Sequence, residues 1–197
     1  MQAKGPIAAD LLRALANVSP SDALKATQAM MGRDEIEVLL ECMHLLERNP
    51  DALETRTVLF GLIRAKEESI RIRAIGLCGK RRDRRDFPAL QRHAVTRSMG
   101  MSNPEALEIG RAMALVDPVA SMELFEDWLR PKGLLKKMRP VQKGQDVTAI
   151  GGLECLDFEE ADELLKILAK RAGGEVYEMC MTARSRRRHR LRGEGVR

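Results

Sequence analysis

Residues 67–81 read EESIRIRAIGLCGKR, and this stretch decides the fold. Ile70, Ala74, Leu77 and Cys78 fall at i, i+4, i+7 and i+8, one apolar stripe of a helix with 3.6 residues per turn. Glu67 and Glu68 stand in the first turn and Lys80, Arg81 and Arg82 at the end, so the charges complement the helix dipole. The spacing therefore predicts a well-terminated helix over 67–81.

The same period recurs on both sides of it. Amphipathic stretches cover 9–18, 23–31, 35–48 and 52–66 before this helix, and 88–97, 105–116, 119–130, 146–156, 158–172 and 175–190 after it. Turn and capping residues separate them: Ser19-Pro20-Ser21-Asp22, Asn49-Pro50-Asp51, Asp86 with Pro88, Ser102-Asn103-Pro104, Asp117-Pro118 and Gly173-Gly174. No stretch alternates as a strand does, so the chain reads as all-α. Aligned on a late apolar position, alternate helices carry Leu15, Leu45, Leu77, Leu115, Leu153 and Ala183, at intervals of 30, 32, 38, 38 and 30 residues. Such intervals belong to two-helix repeats.

Composition agrees. The chain has 197 residues, 44% of them hydrophobic but only 3% aromatic, which suits closely approaching helices better than sheets. No run approaches the roughly 18 uncharged residues of a membrane span. Lys4, Asp10 and Arg13 interrupt the N-terminal segment too early for a signal peptide. A cytoplasmic location is the expectation. Cys42, Cys78, Cys155 and Cys180 are scattered, with no CxxC pair, and fit a core role better than a metal or redox site.

The acidic start, Ile70-Arg71, Ala74 and the ending Leu77-Cys78-Gly79 together resemble the second helix of a HEAT repeat. The similarity extends over 22–188. Within it, Leu107-Glu108 stands where that family has Val/Ile-Arg, and 146–156 lacks the Arg. The resemblance implies a right-handed α-solenoid of about five helical pairs, preceded by a lone helix, whose second helices line a concave face. It also implies an interaction scaffold. By this reading 1–182 is one repeat domain carrying a basic insertion at 130–145, and 183–197 is a basic tail.

Charge is the one feature that goes beyond fold. Residues 1–62 hold 6 basic and 9 acidic side chains, whereas 63–100 hold 11 and 4. The insertion RPKGLLKKMRPVQKGQ at 130–145 has six basic residues and no acidic one, and 183–197 has seven Arg against Glu194. Leu134, Leu135 and Met138 in the insertion fit packing back onto the helices better than contact with a membrane surface. Three basic segments invite an anionic partner. The candidate contact residues are Arg71, Arg73, Lys80, Arg81, Arg82, Arg84, Arg85 and Arg111, then Lys132, Lys136, Lys137 and Arg139, then Arg184, Arg186, Arg187, Arg188, Arg190 and Arg192.

Catalytic motifs are missing from the sequence. His44, His93 and His189 are isolated, and there is no HExxH, Gly-rich phosphate loop or GxSxG elbow. Glu159, Glu160, Asp162 and Glu163 open a helix, where they compensate its dipole. Gly151-Gly152 lies within a helix and reads as a close-packing site. HEAT-like alkylpurine DNA glycosylases work with aromatic residues around the lesion. Trp128 and Tyr177 are the only Trp and Tyr here, and no site residue carries over. The expectation is a non-catalytic protein-binding adaptor without cofactor or metal. The alternative is sequence-independent binding of the duplex phosphate backbone, with the scarcity of aromatics arguing against single-strand stacking.

Overall fold

The structure is a computed structural model and describes residues 5–30, 35–130 and 143–193. Those residues form eleven α-helices and no strand, so the chain is all-α. It divides into two compact units, Met1–Arg81 and Arg82–Arg197. The first holds α1 (Gly5–Val18), α2 (Pro20–Met30), α3 (Ile36–Arg48), α4 (Leu53–Leu62) and α5 (Glu68–Arg81). The second holds a 3-10 turn (Arg84–Asp86), α6 (Phe87–Thr96), α7 (Asn103–Val116), α8 (Pro118–Leu129), α9 (Lys143–Cys155), α10 (Glu159–Arg171) and α11 (Gly174–Leu191).

Local chemistry sets the helix ends. Ser102 accepts a hydrogen bond from the Glu105 amide and Asp117 from the Ala120 amide, each followed by a proline in the first turn. The stretch read as helix over 52–66 stops at Leu62, because the next residues turn back into α5. Arg71 holds that turn. Its guanidinium is buried and donates to the carbonyls of Ala65 at 2.9 Å and Lys66 at 2.6 Å.

In the first unit α1, α3 and α5 pack side by side, with α2 and α4 behind them. Val38, Cys42, Leu46, Leu59, Ile70 and Ala74 are fully buried between the layers. A buried carboxylate, Glu41, ties α3 to Arg13 of α1 at 2.9 Å.

The second unit is built around one helix. α9 touches α6, α7, α8, α10 and α11, and residues 146–153 are buried without a break. A helix apolar or small on every side belongs in a core. Gly110 of α7 abuts Thr148 and Gly152, and Gly151 abuts Leu107, with no room for a Cβ between the two backbones. The glycine pair is thus a helix-packing device. α7, α9 and α11 lie in one row, with α8 and α10 in contact behind it. The repeat alignment slips at two points: Leu115 is 39% exposed, with Met113 and Val116 filling the core instead, and Leu15 of α1 is half-buried while Leu12 is buried.

Arg82, directly after α5, adopts a φ of 52°. A left-handed backbone costs a residue with a Cβ about 1 kcal/mol, a cost glycine avoids. Arg82→Gly accordingly raises stability by about 0.5–1 kcal/mol. Urea unfolding would register this as a higher midpoint at unchanged slope.

Candidate partner-binding groove

The basic residues singled out by the sequence take different roles. Two are turned inward: Arg71, as above, and Arg187, which is 5% exposed and donates to the carbonyls of Leu156, at 3.0 Å, and Phe158. Seven sit in ion pairs. Arg73 pairs with Glu47 at 2.9 Å, Arg85 with Asp83 at 2.7 Å, and Arg84 with Asp117 at 3.8 Å. Arg111 and Arg186 share Glu154 at 3.3 and 3.6 Å, while Arg184 meets Asp162 at 2.9 Å and Arg190 meets Asp157 at 2.8 Å. The hydrogen bond from Arg184 holds the Asp162 carboxyl below the usual carboxylate range. Arg81 is half-buried at the end of α5. Lys80, Arg82, Arg188 and Arg192 are exposed and have no side-chain partner among the described residues. Lys132, Lys136, Lys137 and Arg139, with most of the 130–145 insertion, lie outside the described residues.

The segment expected as a tail from residue 183 is helical to Leu191. The reason is visible in its arginines. Arg184, Arg187 and Arg190 all bind α10 or the turn between α9 and α10, so this part of α11 is packed rather than loose.

A groove runs over the row α7–α9–α11. α7 contributes Leu107 and Arg111, α9 contributes Ile150 and Glu154, and α11 contributes Glu175, Glu178, Met179, Thr182, Ala183 and Arg186. The spacings are i, i+4 on α7 and α9 and i, i+3, i+4, i+7, i+8, i+11 on α11, which are single helix faces. The three helices run in the same direction. Asn103 at the start of α7 bonds Glu175 at the start of α11, and Arg111 and Arg186 meet at Glu154 further along. Leu107, Ile150, Met179 and Ala183 make an apolar floor in a cleft of about 290 Å³, and charged side chains rim it. The volume suits anchoring side chains of a macromolecule better than a whole small molecule. A second, polar cleft on the other side of α11 is lined by Met181, Arg184, Ser185, Arg188, His189 and Arg192.

The structure also brings together a pair that sequence reasoning missed. His93 Nε2 lies 3.0 Å from Glu105 Oε1, with both side chains buried and Arg97 at 4.0 Å. The pair clamps α6 to α7. Its signal in sequence is a polar residue where the inward stripe calls for an apolar one, as in Leu90, His93, Ala94 and in Glu105, Ala106, Ile109.

Other reactive groups are muted. Burial pushes the Cys42 thiol up to about 12 and the Cys180 thiol to about 11, so neither is a thiolate near neutral pH. Among the described residues no cluster of three or more His, Cys, Asp or Glu could hold a metal ion, and no helix is long and apolar enough to cross a membrane. Comparison with protein-family models, curated proteins and solved structures finds no match to this chain.

Proposed function

We propose that the chain is a non-catalytic helical-repeat adaptor, a HEAT-like α-solenoid of about five helical pairs, that binds a protein segment in the groove over α7, α9 and α11. The observation that carries this reading is the groove itself: three parallel helices present an apolar floor and a charged rim made of side chains. Surfaces of that construction accept a partner helix or strand through regularly spaced anchors. The internal engagement of Arg71, Arg73, Arg85, Arg111, Arg184, Arg187 and Arg190 supports the adaptor over a phosphate-backbone binder. Among the described residues Lys80, Arg82, Arg188 and Arg192, exposed and without a side-chain partner, speak for an anionic partner.

Selection of peptides from a random displayed library tests the reading. Peptides recovered on the wild-type chain lose about tenfold or more in affinity for the double variant Leu107→Glu, Met179→Glu. Recovery of no peptide, together with duplex DNA binding that falls steeply with salt and disappears in Arg188→Glu, Arg192→Glu, overturns it for the nucleic-acid alternative.

A further inference from the structure

The charges around this groove are unevenly matched. Arg111 and Arg186 share Glu154, and Arg111 is also 3.7 Å from Glu108, so at this end two cations stand against two carboxylates. At the other end, where the helices begin, Glu175 and Glu178 of α11 face the cleft. Glu175 accepts a hydrogen bond from the Asn103 side-chain Nδ2, and Glu178 is exposed with no ion pair among the described residues. The lining thus holds two cations against three carboxylates, on a chain whose formal charge is +5. The local sign is opposite to the global one.

From this we infer that the groove receives a basic amphipathic helix, an inference that rests on the groove reading above. Apolar side chains spaced i, i+4 on the partner would seat against the half-buried Leu107 and Met179, over a base formed by the buried Ile150 and Ala183. Lys or Arg beside those anchors would meet Glu178. An acidic partner would instead confront carboxylates, with the nearest arginines already occupied. The net positive charge of the chain repels a basic ligand at long range, so any preference for one must come from this local site.

The experiment is fluorescence anisotropy of the full chain with three helix-forming peptides of about fifteen residues. Each carries leucines spaced i, i+4, flanked in turn by Lys, by Gln or by Glu. The Lys peptide binds about tenfold tighter than the Gln peptide, and the Glu peptide binds weakest. Glu178→Lys reverses that order, and Leu107→Glu abolishes binding of all three. Circular dichroism confirms that both variants keep their helix content. Equal affinity for the three peptides, lost in Leu107→Glu, overturns the basic preference and leaves the groove reading standing. Lys-peptide binding that survives Leu107→Glu but falls in Glu178→Lys overturns it in favour of diffuse charge attraction. Binding of none of the peptides removes both.

Discussion

Gly110→Ala destabilises the protein by about 3–4 kcal/mol, the upper end of what overpacking costs. A Cβ placed on Gly110 falls 1.9 Å from the Thr148 carbonyl oxygen and 2.6 Å from the Gly152 nitrogen. Both are backbone atoms of α9 and cannot swing aside as a side chain would. Relief requires α7 and α9 to separate, which loosens the contact that Ala106, Ile109 and Met113 make with the core. Differential scanning calorimetry would record a melting temperature lower by about 10 °C. Gly173→Ala is the control: a Cβ there meets nothing within 4 Å, so stability changes by no more than about 0.5 kcal/mol. Equal effects at the two positions would refute the packing argument.

Arg187 and Arg188 are adjacent arginines with opposite consequences. Arg187→Met removes the donor to the Leu156 and Phe158 carbonyls at the turn between α9 and α10. Methionine preserves much of the aliphatic stem but leaves both acceptors without this partner in a site from which the original side chain excludes water. The cost is about 2–4 kcal/mol. Arg188→Met, exposed and without a partner among the described residues, changes stability by less than about 0.5 kcal/mol. Chemical denaturation of the two variants in parallel separates these outcomes. A chain ending at Thr182 would lose Arg184 and Arg187 together, so lost binding after that truncation would report damage to the fold. The paired substitutions Arg188→Glu and Arg192→Glu probe the basic surface cleanly.

Helices were legible in the sequence because period and caps are local. Asp117-Pro118 opens α8, Ser102 caps α7, and the stripe of Ile70, Ala74, Leu77 and Cys78 is buried as the spacing predicts. The roles of the arginines were not legible, because their partners are distant in sequence. Arg184 reaches 22 residues to Asp162 and Arg187 reaches 31 to Leu156. A run such as Arg186-Arg187-Arg188 looks uniform until helical geometry sends one member inward and leaves its neighbours out. His93 and Glu105 stayed hidden for a similar reason: each looks like an isolated polar residue until α6 folds against α7. The two-unit division was equally silent. Its boundary falls within the basic run 80–85, with no proline, glycine or change in composition to mark it.

The enclosure of α9 has a kinetic consequence. Its sequence, with Gly144, Gly151 and Gly152 alongside Val147, Thr148 and Ile150, is a poor helix former by itself. Only the five helices around it can make it fold. The helical pairs of the second unit therefore do not fold independently of one another, and α9 depends on the pairs on either side of it. The unit's nucleus must gather non-local partners before α9 orders, and the amides of α9 should be the last in that unit to exchange with solvent deuterium.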